Sequence, residues 1–236
     1  MTTSNDTVGL GGPSPGPQAG VTESGASQAK REAAFYAVAQ AWGLAEYLPE
    51  CHLLLIGGRE YAALKLLGSS YEDLNAVRAR DPGAPRRLFL VFRPDGTLHR
   101  WAALDAILGN VDRNAGNLMV RGDEVKLIDH GSAFAGTGFA PATDKNTFVP
   151  YYLRALAPSD FNQLAPADKL RALPRISGDS AKNLNNWLSS LDEEGLARIL
   201  HRFGIEAKPS VERLRSLKGA LAYQPADLAI NSFWVL

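Results

Sequence analysis

The sequence predicts an α+β protein in which a small antiparallel sheet near the N-terminus precedes a mainly helical remainder. Two apolar segments, at 51–56 and 61–67, flank Gly57-Gly58, a pair that is typical of a tight β-hairpin. After residue 150 the apolar residues recur at helical spacing in successive segments, and one such stripe consists of Leu184, Trp187, Leu188 and Leu191. A second hairpin in the middle of the chain completes the predicted strands.

Composition places the chain among soluble globular proteins. It has 236 residues, 45% of them hydrophobic and 21% charged, which suits one large or two small domains. Its 25 basic residues balance its 25 acidic ones, so no nucleic-acid or anionic-membrane partner is indicated. The single cysteine, Cys51, lies in an apolar run, which excludes an internal disulfide and favours a buried packing role. Because neither a membrane-spanning run nor a signal peptide pattern is present, we expect a cytoplasmic protein.

The second hairpin is predicted between residues 117 and 128. Short apolar strands at 117–120 and 125–128 flank Gly122-Asp123, and Gly-Asp at such a joint is a strong hairpin signal. A helix over 97–108 leads towards this hairpin and ends at Gly109-Asn110, a helix stop. The segment therefore reads as helix, loop, strand, turn and strand.

Three polar side chains are placed around this hairpin. Asp112 and Asn117 precede it and Asp129 follows it. Because a hairpin folds back on itself, we expect Asp129 to lie near Asn117, with Asp112 facing the same space. Two carboxylates and one amide oxygen are ligands that Mg²⁺ accepts together with water and phosphate. The alternative is a polar loop whose Asp and Asn side chains only cap turns.

The spacing of these residues is that of a kinase catalytic loop, in which an Asp lies five residues ahead of an Asn and a metal-binding Asp follows in a D-x-G motif. The segments DRNAGN and LIDHG, at 112–117 and 127–131, resemble the D-R-x-x-x-N and D-x-G motifs of the phosphatidylinositol 3-/4-kinase-like and HipA-like atypical kinases. In that branch an Arg follows the catalytic Asp, as Arg113 does here. The likeness is greatest to small bacterial and phage proteins described as phosphatidylinositol-kinase-like.

The resemblance implies a protein-kinase-like fold with a reduced N-terminal lobe and a mainly helical C-terminal lobe, and it implies ATP and Mg²⁺ as cofactors. Asp112 would accept the proton of an acceptor hydroxyl, while Asn117 and Asp129 would hold Mg²⁺ against the ATP phosphates. Arg113 would steady either the loop or a phosphate. His130, in place of the usual Phe, is expected to be a packing residue. The acceptor stays open among a protein Ser or Thr, a lipid headgroup and a small molecule.

One part of the family pattern is missing. Glu32, near the start of a helix predicted from residue 29, matches the small-lobe glutamate that pairs with an ATP-orienting Lys; a solvated glutamate favoured by the helix dipole is the alternative. That Lys belongs on a strand upstream of the helix, where we predict none. Lys65 is a candidate substitute, although a solvent-facing strand position is the alternative for it.

The predicted organisation has three parts. Residues 1–28, rich in Gly, Pro, Ser and Thr, are expected to form a disordered or loosely packed arm, and residues 29–69 a partial N-terminal lobe of one helix and one hairpin. Residues 70–236 would form the C-terminal lobe, with the catalytic loop at 109–131. Within it we predict a helix over 70–80 capped by Ser70, and we leave 86–96 open between a strand and a buried helix.

The sequence therefore favours an ATP-dependent phosphotransferase that moves the γ-phosphate to a hydroxyl acceptor. The absence of an upstream Lys leaves a second hypothesis, a catalytically weak pseudokinase that acts as a binding or assembly module. A magnesium-dependent hydrolase would need a second carboxylate cluster, and Asp105 and Asp123 are poorly placed to supply one.

Overall fold

The computed structural model describes residues 8–10, 27–134 and 149–235. The predicted α+β class is confirmed: two small antiparallel sheets accompany a mainly helical C-terminal part. Within the described ranges, no helix is both long and apolar enough to cross a membrane.

The N-terminal sheet has the strand order β1-β3-β2 and carries helix α1 on one face. Its elements are β1 (Val8–Leu10), α1 (Gln28–Ala41), β2 (Cys51–Ile56) and β3 (Arg59–Lys65). The predicted hairpin is present, with Cys51 opposite Leu64 and Ile56 opposite Arg59. Ala33 of α1 packs against Cys51 and Ala62 in a small apolar cluster, which fixes the helix on the sheet.

Strand β1 lies within the segment 1–28, for which the sequence predicted no strand. Val8 pairs with Lys65 and Leu10 with Ala63, so these three residues are a strand upstream of α1, where the sequence predicted a disordered or loosely packed arm. A strand of three residues with Gly9 at its centre is too short to show the alternation of apolar and polar residues that predicts a strand. Pairing with β3 stabilises it instead. The rest of the predicted arm, at 1–7 and 11–26, lies outside the described residues.

The second sheet, β4-β5-β6, contains the predicted central hairpin. Its strands are β4 (Glu72–Asp73), β5 (Leu118–Arg121) and β6 (Glu124–Leu127). The prediction of a helix over 70–80 is corrected at its start, because Glu72 and Asp73 pair with β5 and the helix α2 covers only Leu74–Arg80. Asp73, and not Ser70, is its N-cap, and its carboxylate accepts a hydrogen bond from the backbone of Asn75 at 2.5 Å.

The C-terminal part is helical, and the segment left open between strand and helix is helix α3 (Ala84–Phe92). The other helices are α4 (Thr97–Leu108), α5 (Tyr151–Arg154), α6 (Pro166–Ala172), α7 (Gly178–Ser190), α8 (Glu193–Arg202), α9 (Lys208–Ala220) and α10 (Ala226–Val235). Helix α4 is the centre of the core, and eleven of its twelve residues are buried. Helices α3, α5, α9 and α10 contact it, so its end is held on several sides.

Helix α4 is followed by its C-cap residue Gly109, the first residue of the loop that is predicted to be catalytic. Gly109 is left-handed, with a φ of 66°, and a Cβ added there would lie 2.7 Å from Nη1 of Arg213. That Arg213 nitrogen donates a hydrogen bond to the carbonyl of Ile107 at 2.9 Å. Glycine is therefore required at position 109 for two reasons. The backbone is left-handed there, and helix α9 approaches too closely for a side chain.

We predict that Gly109→Ala lowers the free energy of unfolding by more than Gly43→Ala. Both glycines are left-handed and follow a helix, but an added Cβ at Gly43 meets nothing within 4 Å. The control therefore measures the left-handed strain of about 1–2 kcal/mol, and the difference measures the collision with Arg213. Urea unfolding of the two variants provides the comparison, and equal losses would contradict a close approach of α9.

Candidate active site

The loop after α4 is held by a buried ion pair between Arg113 and Asp105. Nη2 of Arg113 donates to Oδ1 of Asp105 at 3.0 Å, and Nε donates to Oδ2 at 3.1 Å. The side chains are 1% and 0% exposed, respectively. Such a two-point contact fixes the guanidinium in one orientation, and burial makes each of its hydrogen bonds obligatory.

The same guanidinium joins the two ends of the hairpin. Nη1 of Arg113 donates to the carbonyl of Asn117 at 3.1 Å and to the carbonyl of Ile128 at 2.8 Å. The Asp105 carboxylate accepts two further hydrogen bonds, from Nδ2 of Asn110 at 2.7 Å and from the Tyr152 hydroxyl at 2.9 Å. Arg113 thus connects α4, the loop and the segment that leads to Asp129.

This network shifts the pKa values of Arg113 and Tyr152. Burial alone would lower the pKa of Arg113, but the charge and hydrogen bonds of Asp105 outweigh it and raise that pKa, so the guanidinium stays charged. Burial, followed by the Asp105 charge, raises the pKa of Tyr152 well above its usual value. The Tyr152 hydroxyl is therefore a permanent donor to the Asp105 carboxylate.

Of the two roles predicted for Arg113, the structure favours the structural one. Its nitrogen donors are directed to Asp105, Asn117 and Ile128, and its guanidinium is buried, so it steadies the loop and is not placed to meet a phosphate in solution. The structure thus favours the loop-steadying role, and the place of Arg113 among the catalytic residues stays a prediction. Its partner Asp105 was not predicted from the sequence, although a lone carboxylate in an apolar helix requires a buried counter-charge.

We predict that Arg113→Met lowers the free energy of unfolding by about 3–5 kcal/mol, because it leaves the Asp105 charge buried without a partner. The double variant Asp105→Asn with Arg113→Met is expected to recover part of this loss. Arg171→Met serves as the surface control, because its ion pair with Asp168 is exposed and should contribute little. Chemical denaturation gives the free energy of unfolding of the three variants. If Arg113→Met loses no more of it than the surface control does, the role of the buried pair is contradicted.

Asp112 and Asn117 are oriented by short contacts within the loop. Nδ2 of Asn117 donates to the carbonyl of Asp112 at 2.6 Å, which leaves Oδ1 of the amide as the atom for a cation. Nδ2 of Asn114 donates to the Asp112 carboxylate at 2.8 Å. Asp112 itself is exposed, whereas Asn117 is buried. The first can meet a substrate from solution, and the second belongs to the floor of the site.

Asp129 lies beside this loop in an unusual backbone conformation. The backbone nitrogen of the preceding residue, Ile128, donates to the carbonyl of Asn117 at 3.1 Å, so the predicted proximity of the two hairpin ends is present. Asp129 has a φ of 56°, a left-handed value that is uncommon for non-glycine residues, although Asp adopts it more readily than most. Burial raises the pKa of Asp129, and the negative charges of Glu32 and Asp112 raise it further. Two neighbouring carboxylates therefore oppose the ionisation of Asp129.

Glu32 contacts the D-x-G turn through His130 and not through a lysine. The Glu32 carboxylate lies 3.1 Å from Nδ1 of His130, whose ring stacks on Phe35 with centroids 4.0 Å apart. Nε of Arg31 donates to the carbonyl of Gly131 at 2.5 Å. Three successive contacts thus join α1 to the turn that carries Asp129, and His130 does more than the packing role that the sequence predicted.

The glutamate–histidine pair is a neutral imidazole bonded to a charged carboxylate. Burial lowers the pKa of His130 despite the opposing effect of Glu32. For Glu32 burial would raise the pKa, but the hydrogen bond from His130 outweighs burial and lowers that pKa. Nδ1–H of His130 is accordingly the donor to Glu32. Among the described residues Nε2 of His130 has no hydrogen-bond partner, and the ring borders a cavity of about 30 Å³ together with Asp129 and Cys51.

Lys65 is not brought to this site. It is exposed at the end of β3, while the preceding residue, Leu64, borders the small cavity with Glu32 and Asp129. Because side chains alternate along a strand, Lys65 lies on the face opposite to Leu64. This position favours the alternative for Lys65, a solvent-facing strand residue, and its role as a substitute for the missing lysine stays a prediction.

The donors at the site suit Mg²⁺. The Asn117 amide oxygen and the Asp129 carboxylate are hard oxygen ligands. Burial raises the pKa of Asp129, the charges of Glu32 and Asp112 raise it further, and a nearby cation would act in the opposite direction. Across the described ranges no three His, Cys, Asp or Glu side chains converge on a single metal position. Magnesium in phosphoryl-transfer sites needs only one or two carboxylates, since phosphates and water complete its shell.

Comparisons with known proteins find similarity to solved structures but no matching family. No family model matches the sequence, and no curated protein matches it either. Among solved structures, the chain is similar to a Helicobacter pylori proinflammatory kinase, CtkA, with 14% sequence identity and a TM-score of 0.48 over 88% of this chain and 84% of that chain. A likeness of that degree does not by itself establish a shared activity.

We predict that the stability of the wild-type protein falls more steeply than that of His130→Phe when the pH drops from 7.5 to 5.5. The folded-state pKa of His130 is lowered, so the unfolded chain binds the proton more readily and stability is lost below the usual histidine pKa of about 6.5. The phenyl ring can retain the aromatic contact with Phe35, but it removes both the imidazole and the hydrogen-bond donor to Glu32, so the difference in slope reports the Glu32–His130 pair as a unit. Urea unfolding at both pH values gives the change in the free energy of unfolding for each protein. The contributions of the other histidines cancel when the change in the variant is subtracted from the change in the wild type. Parallel slopes would contradict a buried neutral His130.

Proposed function

We propose that the protein is an ATP-dependent phosphotransferase that moves the γ-phosphate to a hydroxyl acceptor. The observation that carries this proposal is the arrangement of Asp112, Asn117 and Asp129 around one loop held by Arg113. Phosphoryl transfer depends on positioning and charge neutralisation more than on covalent chemistry, and a rigid loop with these donors supplies both. The kinase motifs of the sequence point to the same reaction.

Each residue has a separate task. Asp112, exposed at the edge of the site, would accept the proton of the acceptor hydroxyl. Asn117 and Asp129 would hold Mg²⁺, which supplies charge neutralisation at the phosphates when it is bound. The contacts of α1 with His130 and Gly131 would keep Asp129 in its left-handed conformation. Arg113 acts on all of them indirectly, through the loop.

A second candidate is a binding module with little turnover. The observation that favours it is the partner of Glu32, which is His130 instead of a lysine that would orient the ATP phosphates. In that case the protein would bind nucleotide and magnesium without transferring phosphate. Binding and turnover must therefore be measured separately on the same protein.

We predict that Asp129→Asn lowers phosphate transfer from ATP about a hundredfold or more, because the metal-binding charge is removed. Asn tolerates the left-handed backbone, so the fold is kept. The raised pKa of Asp129 means that its ionised form destabilises the folded state above that pKa. The same variant should therefore unfold at a higher temperature at pH 7.

The measurements are radiolabelled phosphate transfer, ATP hydrolysis and thermal unfolding. Asp123→Asn, in the exposed turn of the hairpin, is the matched control and should change none of them. Asp112→Asn should lose transfer but retain Mg²⁺-dependent ATP binding. Wild-type activity that survives in Asp129→Asn would overturn the assignment of the metal site, and binding without any turnover would select the second candidate.

A further inference from the structure

Strand β2 is the outer strand of the N-terminal sheet and exposes apolar side chains. In the order β1-β3-β2 it pairs only with β3 among the described residues. Leu55 is 72% exposed and Ile56 is 49% exposed, in a strand, CHLLLI, that contains no Lys, Arg, Asp, Glu or Pro. Sheets usually protect an outer strand with charges, proline or a bulge, because its free edge can pair with another chain. Strand β2 has neither charge nor proline, and its register with β3 is unbroken.

The pairing with β3 determines which main-chain groups of β2 point outwards. The backbone nitrogen of Lys65 donates to the carbonyl of Glu50 at 2.8 Å, so the main-chain groups of position 50 are directed towards β3. Successive residues of an antiparallel strand direct their N–H and C=O groups to opposite sides. The even-numbered positions of β2 therefore face β3, and Cys51, Leu53 and Leu55 face away from the sheet. These three positions are symmetric about Leu53.

A second copy of the same strand matches this edge. In an antiparallel pair with a twofold axis at Leu53, that residue lies opposite Leu53 of the second copy, and Cys51 lies opposite Leu55 of the second copy. Every outward N–H and C=O group of β2 then has a main-chain partner. Any other register leaves one of the three outward positions without a partner in the second β2. The exposed Leu55 is at the same time covered by Cys51 and Leu53 of the second copy.

The charges that flank β2 are complementary in this register. Glu50 lies opposite Ile56 of the second copy, and Ile56 pairs on its other side with Arg59. Glu50 and Arg59 of the second copy therefore belong to one cross-strand row on the same face of the sheet, and both positions are exposed. The twofold axis repeats this attraction, and no like charges lie directly opposite each other.

We propose that the protein forms a homodimer in which the two β2 strands pair antiparallel about Leu53, so that two three-stranded sheets become one continuous sheet. Main-chain hydrogen bonds supply the pairing, and the leucine side chains at its centre supply the apolar contact. Helix α1 packs on the Cys51 side of the sheet, so both copies of α1 lie on one face of the combined sheet. The dimer surface is separate from the loop of Asp112 and Asn117, and this inference does not depend on the proposed phosphotransferase activity.

The first test is sedimentation equilibrium of the wild-type chain at about 1 to 100 μM. We expect twice the 25.4 kDa mass of one chain at the upper end of this range. Leu55→Pro should raise the dimer dissociation constant about tenfold or more, because an outward N–H donor is lost in both halves of the interface while the bonds to β3 remain. Leu55→Lys, which introduces a charge at the same exposed position, should weaken the dimer as well. Val91→Lys, at an exposed apolar position of α3, is the matched control and should leave the dissociation constant unchanged.

A disulfide tests the register. Directly opposite Cα atoms in a hydrogen-bonded antiparallel pair are about 5.5 Å apart, a distance that a disulfide spans. Leu53→Cys in a Cys51→Ala background should therefore give a covalent dimer on mild oxidation. Leu54→Cys in the same background should not, because position 54 lies opposite position 52 of the second copy.

Three results would overturn the proposal. One is a wild-type chain that stays monomeric over the whole concentration range, which leaves the edge of β2 to a different partner. Another is a dimer whose dissociation constant is the same in Leu55→Pro, Leu55→Lys and the wild type, which places the contact elsewhere. The third is a dimer that cross-links through position 54 and not through position 53, which excludes a twofold axis at Leu53.

Discussion

The buried ion pair between Asp105 and Arg113 is the interaction on which the candidate site depends. Asp105 belongs to the central core helix, so the position of Arg113 is set by the best-packed part of the molecule. Arg113 then holds the carbonyls of Asn117 and Ile128, which lie at the two ends of the hairpin. A loop of polar residues would otherwise have several conformations. Here its geometry follows from the core, and this allows a carboxylate and an amide to meet at defined positions.

The N-terminal part acts on the same site through helix α1. Arg31, Glu32 and Phe35 contact Gly131 and His130, so the turn after Asp129 is held between α1 and the core. Gly131 leaves room for this, since a Cβ there would lie 2.3 Å from Cγ of Gln28. Burial of Asp129, followed by the negative charges of Glu32 and Asp112, raises the pKa of Asp129. Its ionised carboxylate therefore lowers the stability of the folded state.

The sequence predicted the α+β class, both hairpins and helix α4, because their periodicity and turn residues are local signals. It also predicted that Asn117 and Asp129 would be close. It did not predict β1, since pairing with β3 stabilises a strand too short to carry a pattern. Nor did it predict the partners of Arg113 and Glu32. Asp105 and His130 are eight and 98 residues away from them, and only the folded chain selects such pairs.

The measurement that tests this account most directly is calorimetric titration of the wild-type protein with ATP, in the presence and absence of Mg²⁺. The account predicts saturable binding that requires Mg²⁺, because Asp129 and Asn117 are assigned to the cation and the cation to the phosphates. Magnesium-independent binding would place the nucleotide away from the Asp129 turn. Absence of binding under both conditions would contradict a nucleotide site in this chain, and with it the phosphotransferase.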